Sequence, residues 1–300
     1  MTRQGVRRVI LKCMLPPGAI IMLTAAVRDL HLSCPGEFLT DVRTSAPALW
    51  VNNPYITPLR EDDPDVEIVD CHYPLIHQSN KAPYHFIHGF SQYLSEILKV
   101  NIYPSLMSGD LHLSAQEKQW MSQVREITRE EVPFWIIAAG GKFDVTIKWW
   151  SSSRYQEVVD AFRGRILFVQ IGDEKHYQPT LSGVLNLIGR TNLRQLIRLV
   201  YHSEGVICPV NLPMHLAATV ETRTNRSPRR PCVVLAGGRE PSQWEAYPHH
   251  QFLHTVGALR CCDNGGCWKA RTLPLGDGAP NDRPDRMCVD VVGLFRGVWI

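Results

Sequence analysis

The residues best suited to chemistry lie in Pro209-Val210-Asn211-Leu212-Pro213-Met214-His215-Leu216-Ala217-Ala218, directly after the strand-like run Gly205-Val206-Ile207-Cys208. A strand that turns into a helix offers free N–H groups and partial positive charge, and open α/β sheets bind anionic ligands there. Three further clusters share the character of strand ends: Gly140-Gly141 with Lys148-Trp149-Trp150, Gly189-Arg190-Thr191, and Gly237-Gly238-Arg239-Glu240. A lysine, glycine turns and a helix N-terminus together make a pocket for a phosphorylated donor such as a nucleotide-sugar. Departure of a diphosphate needs positive charge and N–H donors, and the incoming hydroxyl needs a base opposite them.

A second cluster, Cys261-Cys262-Asp263-Asn264-Gly265-Gly266-Cys267 with Cys288 downstream, has glycines that permit sharp turns. Cys261, Cys262, Cys267 and Cys288, with His249, His250 and His254 in reserve, are candidate ligands for a structural iron or zinc. Reduced structural thiols and a disulfide are the alternatives. Cys13, Cys34, Cys71, Cys208 and Cys232 fall on predicted strands or helix ends and read as core residues.

The elements that must position these groups follow from length and pattern. Three hundred residues suit two domains, and 44% hydrophobic with 20% charged residues is ordinary for a globular protein. A net charge of +3 gives no footing for a nucleic-acid partner, and Arg226-Ser227-Pro228-Arg229-Arg230 reads as a solvated loop. Near the N-terminus Val9-Ile10-Leu11 is interrupted by Lys12 and Pro16-Pro17, so no signal peptide is expected. No apolar run approaches the roughly 20 residues that span a bilayer. The expectation is a cytoplasmic chain whose nine cysteines are thiols or ligands rather than a disulfide framework.

The pattern predicts strands at residues 6–13, 39–43 and 66–70, and helices at 20–31 and 84–98. A capping box from Ser114 to Glu117 predicts a helix through Ile127. A second unit opens with the buried strand 134–139, then helix 154–162, strand 166–171, a helix capped by Thr191 through Tyr201, and strands at 206–208 and 232–236. Alternation of this kind means mostly parallel, doubly wound sheets. The predicted fold class is therefore α/β, with two Rossmann-like domains at 1–132 and 133–300 facing across a cleft. The tail Gly293–Ile300 is apolar enough to pack against the rest.

In this order the motifs resemble those of the family 9 glycosyltransferases, the ADP-heptose:lipopolysaccharide heptosyltransferases and their relatives. Pro17-Gly18-Ala19-Ile20 is similar to the family's glycine-aspartate loop, and Lys148-Trp149-Trp150 to its lysine–tryptophan segment. Leu187-Ile188-Gly189-Arg190-Thr191 is similar to its leucine-glycine-x-threonine turn, and Pro213-Met214-His215 to its strongest signature. The resemblance implies the GT-B architecture, with the acceptor on the first domain and an ADP-linked sugar on the second. It implies an inverting transferase acting on a glycan, lipid-linked or protein hydroxyl. Lys148 and His215 would be the catalytic groups, and Gly140, Lys148, Gly189, Thr191, Asn211, Pro213, Met214, His215, Gly238 and Glu240 would line the donor pocket. Autotransporter heptosyltransferases carry a comparable C-terminal cysteine group that binds iron, which the resemblance extends to the cysteines here.

Two departures bear on catalysis. Ala19 stands where the family has its aspartate base, and Val210-Asn211-Leu212 replaces aspartate–serine/threonine–glycine. Asp41, Asp70, His85 and His88 are candidate substitutes for the base. The rivals are a catalytically impaired nucleotide-sugar-binding or scaffold protein, and a metal-stabilised module whose cysteines mediate oligomerisation.

Overall fold

The computed structural model describes residues 5–288; the apolar tail 293–300 lies outside the described residues. They divide into two compact units. One holds the residues through Gln78 with Tyr84–Trp120 and Ala218–Val220. The other holds Ser79–Pro83, Met121–Ala217 and the residues from Glu221 onward.

The first unit is built on a parallel sheet of order β2-β1-β3, with β1 at Arg7–Cys13, β2 at Phe38–Thr44 and β3 at Val66–Asp70. Between β1 and β2 runs α1 (Pro17–Ser33), with Pro17 at the first helical position, where no N–H is needed. Every residue of α1 from Ala19 to Leu30 is buried, including Arg28 and Asp29. That burial is tolerable because the two charges pair at 3.0 Å and fasten a loop. Arg28 donates to the carbonyl oxygens of Leu106, Ser108 and Gly109, while Asp29 accepts from the N–H and hydroxyl of Ser105. Packed beside α1 is α2 (Phe86–Leu98), whose N-cap is His85.

The Ser114–Glu117 capping box forms, but the expected single helix is two: α3 (Ala115–Gln119) and α4 (Gln123–Thr128). Trp120 adopts an extended conformation, and the Ser122 hydroxyl then accepts from the Arg125 N–H to start the second helix. A local cap outcompeted the apolar periodicity.

The second unit carries six parallel strands: β4 (Phe134–Ile137), β5 (Leu167–Gln170), β6 (Leu185–Asn186), β7 (Gly205–Pro209), β8 (Cys232–Gly237) and β9 (Gln251–His254). Around them run α5 (Ser152–Ala161), α6 (Leu193–His202), α7 (Leu212–Thr219) and α8 (Ser242–Glu245). The sheet order is β6-β5-β4-β7-β8-β9, the Rossmann order in which the chain reverses direction of travel between β4 and β7. Ile137, Tyr155, Val159, Phe168, Leu181 and Ile207 form the core beneath it. Gly205 fits there because a Cβ would lie 2.6 Å from the Trp135 ring. The edge strands β6 and β9 were not expected, both being short, β6 half-buried and β9 mostly exposed.

The cap of α6 is Asn192, not Thr191. Its carboxamide oxygen accepts from the Gln195 N–H at 2.9 Å, and Gln195 returns the bond to the Asn192 N–H at 2.9 Å. Only position 192 can exchange both bonds, which leaves Thr191 outside the helix. Asn192→Ala is expected to cost about 1 kcal/mol. An unchanged urea midpoint would show that the box contributes nothing.

Candidate active site

At the reversal point, past the C-terminal ends of β4 and β7, the chain places its chemistry. After β4 comes the 3-10 turn Phe143–Lys148, held from behind by Thr146. The buried Thr146 hydroxyl accepts from the Thr272 N–H at 2.9 Å, and the Ile147 N–H donates to Ala270 at 3.3 Å. So anchored, Lys148 donates through Nζ to the Val210 carbonyl at 3.0 Å and pairs with Glu240 Oε1 at 2.6 Å. One side chain thereby links the ends of β4, β7 and β8. Arg239 also pairs with Glu240 Oε1.

Beyond β7, Asn211 precedes α7, in which Pro213 and Met214 are buried. His215, on the same helix, is buried between two partners. Its Nδ1 lies 2.8 Å from the Tyr247 hydroxyl, and its Nε2 is 3.6 Å from Glu245 Oε2. Burial pushes the Glu245 carboxyl up to about 8, with Glu240 adding to the rise and Lys148 and Arg239 opposing it. Burial likewise raises the Tyr247 phenol.

Among the described residues, Asn211 Oδ1, Glu240 Oε2, Glu245 Oε2 and Trp149 Nε1 are buried without a hydrogen-bond partner. Unpaired buried polar atoms are costly, and their gathering on Lys148's neighbours and on the residues that follow β7 and β8 marks where a ligand completes the site. Three of the four are acceptors or carboxyl oxygens, which suit hydroxyl groups.

The other sequence-predicted positions are placed as follows. A Cβ on Gly140 would lie 1.9 Å from the Tyr177 carbonyl, and Gly141 bridges Tyr177 through two backbone hydrogen bonds. Tyr177 in turn stacks on Trp149 at 4.1 Å. Gly189 turns with φ +68°, bonding to the Gly172 carbonyl, and leads into Thr191. Gly238 sits against Cys262, where a Cβ would be 2.9 Å from the sulfur.

The cysteine loop backs the Gly238–Glu240 turn. The Cys267 N–H donates to Gly238 at 3.1 Å and the Trp268 N–H to Arg239 at 3.0 Å, while Arg239 lies over the Trp268 ring. Cys261 and Cys288 approach at 3.4 Å between sulfurs, but Cys262 donates to the Thr255 carbonyl. Among the described residues no group of three or more metal-ligating side chains converges. Among the described residues the donor set therefore does not make a tetrahedral cage. Cys13, Cys34, Cys71, Cys208 and Cys232 are buried.

In the first unit Ala19 is buried in the first turn of α1. The candidate bases are differently placed. Asp41 is spent on Arg43 at 2.8 Å and on the backbone N–H groups of Val42 and Leu59. His85 caps α2, its Nδ1 accepting from the Ile87 N–H at 3.2 Å. Asp70 stands exposed at the end of β3. His88 is half-buried, and burial lowers its imidazole. Sequence reasoning missed Asp110 and His112, whose side chains meet at 2.8 Å, as well as Glu245 and Tyr247. The spacing Asp-x-His, which puts both side chains on one side of an extended segment, was the available signal.

No helix among the described residues is long and apolar enough to cross a membrane. Comparison with known proteins places this geometry among relatives. Residues 76–226, just over half the chain, match glycosyltransferase family 9 (heptosyltransferase). The fold is similar to a family 9 glycosyl transferase from Veillonella parvula, with TM-score 0.61 and 14% identity over 85% of this chain and 87% of that one. It is also similar to TibC, an iron-containing dodecameric glycosyltransferase of enterotoxigenic Escherichia coli. The TibC complex with ADP-D-β-D-heptose aligns with TM-score 0.61 and 18% identity over 98% of this chain and 78% of that one. E. coli heptosyltransferase WaaC with ADP aligns with TM-score 0.52 and 10% identity over 97% and 99%. No curated protein sequence matches the chain.

Proposed function

The chain belongs to glycosyltransferase family 9, and from that premise we propose that it transfers a heptose-like sugar from an ADP-linked donor to an acceptor hydroxyl, inverting the anomeric carbon. The acceptor class is a glycan, lipid-linked or protein hydroxyl. The observation that carries this reading is the bridge from Lys148 to Val210 and Glu240 at the reversal point of a Rossmann-ordered sheet, ringed by unpartnered buried acceptor atoms.

In this reading Lys148 takes the diphosphate, sharing itself between Glu240 and the ligand, and the N-terminus of α7 adds backbone N–H groups. Asn211 Oδ1 and Glu240 Oε2, both buried without a hydrogen-bond partner, accept from sugar or ribose hydroxyls. His215, fixed by Tyr247 and Glu245, supports the same wall. Gly140, Gly189, Thr191 and Gly238 shape the turns around it.

A second reading, donor binding without turnover, rests on Ala19, which cannot accept a proton. Calorimetric titration with ADP-, GDP-, UDP- and dTDP-linked sugars, each beside its free diphosphate, tests the binding that both readings share. Selective uptake of the ADP-linked sugar is expected. Failure to bind any of the set would overturn the assignment.

A further inference from the structure

The first unit carries a groove of about 340 Å³ along one side of α2, at the small end of the range of ligand sites (roughly 300–1,000 Å³). Its long wall is a single stripe of the helix, His88, Ser91, Gln92, Ser95 and Glu96, whose three- and four-residue steps cover about 12 Å at helical rise. Tyr84, just before the helix, adds an aromatic ring, and Ile102 with Pro104 forms the facing wall. We propose that this groove is a binding site for an uncharged saccharide of one or two pyranose rings. Every residue that lines it belongs to the first unit, so occupation here is separable from donor binding by the second.

The facing wall is pinned from both sides. Lys99 ends α2 in the left-handed conformation, with φ +57°, and the chain turns back along the helix. Ser95 Oγ donates to the Ser91 carbonyl at 2.9 Å and accepts from the Ile102 N–H at 3.1 Å. From α1, Ser33 Oγ accepts from the Tyr103 N–H at 2.9 Å, and Asp29 accepts from the N–H and hydroxyl of Ser105. The groove is thus formed before a ligand arrives, the condition under which binding loses least to ordering.

Ser91 is 1% exposed, and its hydroxyl oxygen is buried without a hydrogen-bond partner in the groove it lines. A sugar hydroxyl, donor and acceptor at once, satisfies such an atom. Beside it, Gln92 Nε2 donates to Glu96 Oε1 at 3.1 Å, which leaves Gln92 Oε1 and Glu96 Oε2 as acceptors. Burial lowers the His88 imidazole against the opposing pull of Asp29, so near neutral pH the ring offers one N–H and one lone pair. Among the described residues no lysine or arginine lines the groove, and the Glu96 carboxylate repels phosphates and carboxylates. An acyl chain would leave hydroxyl, imidazole and carboxamide desolvated and unpaired. A sugar ring meets both demands. Its hydroxyls pair with the polar stripe, while its C–H faces rest on the Tyr84 ring and on Pro104.

The test titrates the whole protein with methyl glycosides of glucose, galactose, mannose and N-acetylglucosamine, and with maltose and lactose, by saturation-transfer NMR. Tyr84→Ala, Gln92→Leu and Ser91→Ala are titrated beside the wild type. Tyr84 and Gln92 are half-buried at the groove, so their variants should melt with the wild type. Ser91→Ala removes a buried hydroxyl that has no partner, so the free protein should be no less stable while its sugar affinity falls. Expected is millimolar binding of at least one sugar, weakened roughly tenfold or more in Tyr84→Ala and Gln92→Leu. Absence of binding by every sugar would overturn the proposal. Binding that all three variants retain would put the sugar elsewhere and overturn it too. Uptake of 1-octanol with no sugar bound would give the groove to an acyl chain instead.

Discussion

Replacing Lys148 by alanine is expected to weaken binding of the ADP-linked sugar by at least 100-fold, about 3 kcal/mol. The nitrogen sits 3.0 Å from the Val210 carbonyl and 2.6 Å from Glu240, past the C-terminal ends of β4 and β7. It is 22% exposed while Glu240 is 1% exposed, so the lysine is the partner a ligand can reach. Its loss removes the charge facing the diphosphate and turns Glu240, still held by Arg239, into a repulsive neighbour. Because Arg239 keeps the carboxylate paired, the fold should persist. Titration of wild type and variant with ADP and ADP-sugar gives the answer, and affinities within threefold of each other would put the phosphate elsewhere.

Glu245→Gln is expected to make the protein more stable in mild alkali and to leave it unchanged in acid. In the folded state burial holds this carboxyl at about 8, against an ordinary value of 4.5. Between those two values the unfolded chain has released the proton that the folded chain keeps. The folded state therefore loses stability as pH rises through that window. Below 4.5 the penalty is absent, and above 8 it is complete. At about 1.36 kcal/mol per pH unit, the full penalty is on the order of 5 kcal/mol. Glutamine has no charge to bury and forfeits none of it. Urea unfolding at pH 4.5 and pH 8.5 should show matching midpoints in acid and a more stable variant in alkali. Parallel curves would mean that Glu245 is ionised in the folded protein throughout.

The alternation of apolar strands and helices was legible because the central parallel strands, such as β4 and β7, are buried on both faces. Strand positions in the sheet's centre followed from that alone, whereas β6, two residues long and half-buried, and β9, four residues long and mostly exposed, carry no such pattern. The start of α6 was misread by one residue because Thr191 and Asn192 are both good caps. The reciprocal bond from Gln195 decides between them. The donor-side motifs stood out since turns after strands need glycine, proline and asparagine in fixed places. What escaped was set by distance along the chain. Glu245 looks like a surface residue until Trp244 and Tyr247 pack around it. Asp110 and His112 meet on a loop that Arg28, more than seventy residues earlier, fastens to α1.

The bracing of Lys148 and Glu240 by one late segment has a consequence for biogenesis. The lysine's turn leans on Ala270 and Thr272, and the glutamate's turn on Cys267 and Trp268. During synthesis every strand of the second sheet leaves the ribosome before those residues do. The scaffold can assemble while its two charged groups still lack their supports, so competence to hold a ligand arises after the sheet rather than with it. A nascent chain halted before residue 267 would present the fold without the pocket.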